Sequence, residues 1–229
     1  MILAVIADVH SNVFALKVAV EELNKYSPDK FIFLGDLVGV GAFPEETVQF
    51  ARKIKNAVFI KGNHDLFAHS GVHPYKQGDL RGKMAKWQER VLSAPSKQFL
   101  NEMKDEEVFE VSGRKITCIH YPKAENGWFK IPKLFPTESE IKDIFDSIEG
   151  DIILFGHEHS GSFHEIDGRY FINFGTCGNF LFPNTARSGI VEIDEQKVAY
   201  KAINAYYDDT YAKKRRDEIL NILSDNKRI

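Results

Sequence analysis

Only two cysteines, Cys118 and Cys177, occur in the 229 residues, and they lie far apart. That usage fits two reduced thiols in a cytosolic protein better than a disulfide-stapled secreted one. No uninterrupted apolar run approaches the roughly 20 residues that span a bilayer. The apolar start, Met1 to Ala7, is too short for a secretory signal and gives way at once to Asp8 and His10. The expectation is a cytoplasmic protein with no membrane partner. Charge of one sign is also lacking: 30 basic residues against 33 acidic ones leave a net charge of −3. A polybasic stripe of the kind that binds nucleic acid is therefore missing. No internal repeat, low-complexity segment or clear linker interrupts the chain.

What is present is ordinary globular material, 43% apolar and 28% charged. The length suits one domain over residues 1–229, with room for a small cap. Such a chain buries enough core to fold without a structural metal, so a metal, if bound, serves chemistry.

The first third alternates in period. Ile2–Ala7, Phe31–Leu34 and Val58–Ile60 are short apolar runs that read as buried strands. Between them, Val13, Leu16, Val20 and Leu23 recur at helical spacing, with Ser11 or Asn12 as cap. Pro44 to Ile54 reads as a second helix that begins with proline. Strand–helix alternation of this kind predicts parallel βαβ units. Leu66 to Gly82 has no clear pattern; Lys83–Val91 and Ser96–Met103 read as two short helices, so residues 66–105 suggest a helical cap. Val108–Val111 and Lys115–Ile119 flank a Ser112-Gly113 turn, and Phe163–Ile166 and Tyr170–Ile172 flank Asp167-Gly168, both hairpin signals. Thr137 and Glu140 form a capping box ahead of a helix to Ile148, followed by a strand at Ile152–Phe155. Ile190–Ile193 and Val198–Ile203 predict one more strand pair, and residues 208–229 a charged C-terminal helix.

The strand ends carry the chemistry. Strand one delivers Asp8 and His10, strand two Asp36, strand three Asn63, His64 and Asp65. Lys115–Ile119 delivers His120, and Ile152–Phe155 delivers His157 and His159. In open α/β sheets, ligands bind just beyond the carboxyl ends of strands. Singly, His120 could be a structural histidine and Asp36 a helix cap; five strand ends supplying Asp, Asn and His together point to a site. In Asp8-x-His10 and His157-x-His159, an extended chain would aim both side chains the same way. Glycines at 35, 62 and 156 precede ligands and would allow close backbone approach. Imidazole, carboxylate and amide together suit first-row transition metals better than Ca²⁺ or Mg²⁺ alone.

These residues resemble the calcineurin-like metallophosphoesterase superfamily. Its DxH, GD, GNH(D/E), lone His and GHxH segments read here as Asp8-Val9-His10, Gly35-Asp36, Gly62-Asn63-His64-Asp65, His120 and Gly156-His157-Glu158-His159. IADVHSN, GDLVGVGAFPEETV and the Asn173–Gly178 segment look like a small prokaryotic phosphodiesterase-like branch. The resemblance implies a four-layer αββα sandwich of two mixed sheets with a small helical cap. It implies two divalent ions (Mn, Fe, Ni, Co or Zn), with Asp8, His10, Asp36 and His159 holding the first. Asp36 would bridge to the second, which Asn63, His120 and His157 complete. A hydroxide activated by the two metals would attack phosphorus, with His64 as general acid and Asp65 orienting its imidazole. The further Asp and Arg that many members carry after GD are replaced here by Leu37 to Gly41, which removes one phosphate-binding arginine. Tyr121, where a small residue is common, either packs the loop or narrows the mouth of the site.

The implied substrate is a small phosphorylated molecule. His69, His73, Tyr75, Lys76, Arg81, Lys123, Trp128, Phe129 and Lys130 are rim candidates that would suit a nucleotide-like one. A nuclease on the same site is an alternative, as is a non-enzymatic interaction module like the retromer subunit. That relative lacks the histidine of the GNH segment, whereas His64 is present here.

Overall fold

The computed structural model describes residues 1–225 apart from Val72, Tyr75, Gln77 and Phe180. Among them, ten strands form two five-stranded mixed sheets. β1 (Ile2–Ile6), β2 (Lys30–Leu34) and β3 (Ala57–Ile60) run parallel, joined through α1 (Val13–Asn24) and α2 (Pro44–Ala51). β9 (Thr185–Ile193) pairs antiparallel with β1, and β10 (Val198–Tyr206) with β9, giving the order β10-β9-β1-β2-β3. The second sheet contains β4 (Glu106–Val111), β5 (Arg114–Ile119), β6 (Ile152–Leu154), β7 (Ser162–Ile166) and β8 (Arg169–Asn173), in the order β4-β5-β6-β8-β7. Only β5-β6 and β6-β8 are parallel.

The apolar strands are continuous because both faces are covered. Along β1, Leu3 and Val5 face Ile116, Cys118, Ile152 and Leu154 of the second sheet. Ala4 and Ile6 face Leu16, Ala19 and Leu23 of α1 and Val48 of α2. On the far side of the second sheet, α6 (Glu138–Ile144) and the turn behind it bring Ile141 and Phe145 against Ile153, Phe155 and Phe171. The four layers are therefore helices, sheet, sheet and helix, as the resemblance implied.

Local signals behave as their chemistry dictates. Asn12 caps α1 by accepting from the Ala15 N–H at 3.2 Å. Thr137 and Glu140 cap each other's backbone. Both hairpin turns place a non-glycine residue and then glycine at positive φ, Ser112 at 51° and Gly113 at 74°, Asp167 at 53° and Gly168 at 79°. Both cysteines are buried and free, and burial pushes each thiol up.

Three expectations change. Asn63–Ser70 is a helix, α3, and so includes most of the segment without a clear pattern. Lys83–Val91 and Ser96–Met103 become the longer α4 (Leu80–Val91) and α5 (Ala94–Glu102). α5 lies in the helical layer rather than over the site: Leu100 joins the α1–α2 core and Phe99 meets Phe59 edge-on at 5.0 Å. The C-terminal helix, α7 (Thr210–Ser224), packs on α4 through Met84, Ile219 and Leu223. Among the described residues, no helix is long and apolar enough to cross a membrane.

Candidate metal centre

Each candidate ligand sits in the first turn beyond a strand, and the backbone there is unusual. Asp8, His10, Asp36 and His157 have φ values of 54°, 50°, 51° and 67°. Left-handed backbone at non-glycine residues costs of order 1–3 kcal/mol each and persists only where surroundings impose it. The surroundings do so here. The Asp8 N–H donates to the Gly35 carbonyl (3.0 Å) and His10 N–H to the Asp36 carbonyl (2.9 Å). Gly156 N–H donates to the His120 carbonyl (2.9 Å), and His157 N–H to the Asp8 carboxylate (3.0 Å). The paired ligands thus converge through left-handed turns, not through the extended chain that their spacing suggested.

Close approach explains the glycines. A Cβ on Gly62 would lie 2.8 Å from the Asp36 carboxylate carbon and closer still to its oxygen and main-chain nitrogen. A Cβ on Gly39 would lie 2.5 Å from Cγ of His64. Asp36 Oδ1 accepts the His64 N–H at 2.8 Å, which anchors the start of α3.

Two sets of side chains meet at Asp36. His10 Nε2 faces His159 Nε2 at 3.0 Å, and Asp8 Oδ1 lies 3.9 Å from the former and 3.5 Å from the latter. Across the site, His120 Nε2 faces His157 Nδ1 at 3.2 Å and Asn63 Oδ1 at 3.2 Å. Asp36 Oδ2 lies between the sets, 4.0 Å from His10 and 3.5 Å from His120. Two ligands each about 2.1 Å from one ion, at tetrahedral or right angles, stand about 3.0–3.4 Å apart. Most of these separations fall in or near that range. Potential donor atoms cluster as Asp8, His10 and His159, as Asp36, His120 and His157, and as His10, Asp36 and His64. The structure thus brings His64 closer to the ligand set than expected.

Electrostatics support a cation. Asp8 and Asp36 are buried, and among the described residues their only ionic partners are histidines. Burial pushes Asp8 up, but His159 and His120 more than offset it; Asp36 is held well below the carboxylate range because His120, His64 and His10 outweigh its burial. Burial lowers His120, yet Asp36 beside it lifts it to about 9; His159 is likewise raised by Asp8 against its own burial. Burial, then the repulsion of a neighbouring imidazole, pushes His10 down to about 3 and His157 to about 4. His64 is lowered mainly by burial, with Asp36 opposing. A buried carboxylate pair demands compensating positive charge. In the metal-free chain, protons on some histidines supply it while others stay neutral with lone pairs to offer. The donor set therefore fits divalent metal.

Asp65 does something other than orient His64. Its two oxygens accept the N–H groups of Gly62 (2.9 Å) and Val38 (3.0 Å), stapling the start of α3 to the loop after Asp36. Burial and the nearby Asp36 raise it to about 7, against those two hydrogen bonds. Tyr121 is buried against Phe145 and Phe155 and touches the His157 ring, so it packs the loop from beneath. Of the rim candidates, Phe129 packs on His120 and His157 and Trp128 on Phe67. Lys130 instead donates to the Ile144 carbonyl, and Lys123 pairs with Asp105; Tyr75 lies outside the described residues.

Three supports are hard to see from the sequence. Gln88 of α4, buried, accepts the Gly39 N–H at 2.7 Å and donates to the Gly41 carbonyl at 2.9 Å. Glu158, between the paired histidines, points inward to Ser160 and Asn173. Thr176 donates to the Asp8 carbonyl at 2.8 Å and Asn12 to the Gly178 carbonyl at 3.0 Å, so the Asn173–Gly178 segment braces the β1 turn.

Residues 1–196 match the calcineurin-like phosphoesterase superfamily domain. An uncharacterized protein of Methanocaldococcus jannaschii is 30% identical over 175 residues, covering 76% of this chain and 68% of that protein. A hypothetical protein from Pyrococcus horikoshii shares the fold with TM-score 0.78 at 18% identity, over 97% of each chain. A metallophosphoesterase from Sphaerobacter thermophilus does so with TM-score 0.70 at 20% identity, over 98% of each chain. The chain belongs to the calcineurin-like phosphoesterase superfamily.

Proposed function

We propose that the chain is a metal-dependent phosphoesterase that hydrolyses phosphomonoester or phosphodiester bonds of a small molecule. Asp8, His10, Asp36 and His159 would hold one divalent ion; Asp36, Asn63, His120 and His157 would hold the other. The position of Asp36 Oδ2 between His10 and His120 supports this reading most strongly, because a carboxylate so placed can serve both groups. When bound, such ions polarise the phosphoryl oxygens and supply an acidified water. Imidazole-rich donor sets suit Mn, Fe, Ni, Co or Zn.

The chain's own groups then have distinct tasks. Asp8 and Asp36 provide fixed negative charge at the floor, already desolvated and held by main-chain donors, so little reorganisation is needed. His64 stands at the edge of the ligand set, its ring 5.2 Å from that of His10, and gives a proton to the departing alkoxide. A positioned acid contributes typically ~10²–10⁴-fold. Asp65 acts on His64 only through the backbone staple. Phe129 shields the His120 side from water.

The test is turnover of bis(p-nitrophenyl) phosphate and p-nitrophenyl phosphate with Mn²⁺, Ni²⁺, Co²⁺, Zn²⁺ and Mg²⁺. At least one pair should support hydrolysis, and His64→Ala should retain metal while losing most turnover on a poor leaving group. No hydrolysis of either ester with any metal would contradict the reading.

A further inference from the structure

Next to the candidate site is a cavity of about 330 Å³, at the low end of small-molecule pockets. Phe67 and Ala68 of α3, Leu80, Met84 and Ala85 of α4, and Leu220 of α7 form its walls. His64 and Gly39 also line it, so the cavity meets the same imidazole that stands with His10 and Asp36. The other polar side chains on the described wall are engaged. Gln88 commits both ends of its amide to Gly39 and Gly41. Arg81 is held by Asp79 at 3.1 Å and Arg216 by Asp217 at 2.9 Å.

A wall made mostly of hydrocarbon suits a base edge or a sugar hydroxyl poorly, since those need several donors and acceptors to meet them. It suits hydrocarbon. A nucleotide-like substrate, expected from the rim residues, matches it poorly.

We infer that this cavity takes the organic group of the phosphoester, and that the group is an apolar alkyl or aryl alcohol carried on the ester oxygen nearest His64. The inference rests on the phosphoesterase reading, because His64 belongs to both places and aligns the cavity with the leaving-group side. Burying each added methylene should raise kcat/KM about fourfold until the cavity is full.

Two parallel series test this with the Mn²⁺-loaded protein. The first is phosphate release from n-alkyl phosphates, methyl to hexyl, whose alcohols beyond methyl differ little in leaving ability. The second is calorimetric binding of the matching alkylphosphonates, whose C–P bond is not hydrolysed. Both should climb by about fourfold per methylene, and Ala85→Phe, which fills the cavity, should flatten both. A flat phosphonate series, or a slope that Ala85→Phe leaves unchanged, overturns the inference even if esters are hydrolysed. Turnover of adenosine monophosphate faster than of hexyl phosphate overturns it as well. A rising phosphonate series with no turnover of any ester supports the cavity assignment and refutes the hydrolytic reading instead.

Discussion

Replacing Gln88 should damage the candidate metal centre, which its amide supports through main-chain partners. Its amide holds the loop at Gly39 and Gly41, and both residues are buried. Gly39 in turn packs on His64, and the Gly41 N–H donates to the His10 carbonyl at 3.1 Å. Gln88→Leu keeps the volume and removes both partners. One buried main-chain donor and one acceptor lose their bonds, at about 1–3 kcal/mol each, so unfolding free energy should fall by about 2–6 kcal/mol. That is a large part of the ~5–15 kcal/mol typical of a folded domain. Gln88→Glu retains an acceptor for Gly39, cannot donate to Gly41 and buries a charge. It therefore separates the two bonds if Gln88→Leu fails to fold. Urea unfolding with and without Mn²⁺ reads the stability, and ester turnover reads the alignment of His64. Wild-type stability and turnover in Gln88→Leu would refute this chain of support.

Other expectations follow from the same geometry. Gly62→Ala would drive a methyl into Asp36, so metal content measured by plasma mass spectrometry should collapse while circular dichroism stays folded; full metal occupancy would count against the close approach. Asp65→Asn has one carboxamide oxygen for two main-chain donors, so it should lose about 1–3 kcal/mol and lower turnover without emptying the metal site; an unchanged urea midpoint would show that the staple is unimportant. Metal-free protein should be most stable near the ordinary histidine range. His120, raised to about 9, contributes stability that is full below its unfolded value and lost as pH rises through about 9. His10 and His157, lowered to about 3 and about 4, make the unfolded chain take up more protons on acidification, so stability also falls below that range. Melting temperatures of chelated protein that rise steadily from neutral pH to pH 9 would contradict this balance.

The strands are legible because their apolar runs are buried on both faces, and the candidate ligands because they break those runs at one end. The left-handed turns at Asp8, His10 and His157 were not legible: nothing in Asp-x-His or His-x-His distinguishes an extended pair from one bent back by the neighbouring strand. α3 escaped because NHDLFAHS has a weak apolar stripe and an N-terminus formed by Gly62, with Asp65 accepting from its N–H, rather than by a Ser or Thr cap. β9 extends beyond the strand that its sequence predicts because Arg187, Ser188 and Gly189 interrupt its apolar run. Gly189 lies in the strand interior, where the Phe174 ring occupies the space that a Cβ would need. Gln88 was hidden by context, since a glutamine among charged residues on a helix reads as solvent-facing. Its burial depends on a loop 47 residues away in sequence. Polar residues that brace a site carry no periodic mark, so only the packed structure reveals them.

In the proposed site, two metal ions would share Asp36. Metal analysis of manganese-loaded, dialysed protein tests it most directly, with wild type and Asp36→Asn measured side by side and both checked as folded by circular dichroism. The wild type should hold about two ions per chain, and Asp36→Asn should lose metal together with activity. A wild type that never exceeds about one ion per chain, or an Asp36→Asn protein that keeps about two, would contradict it.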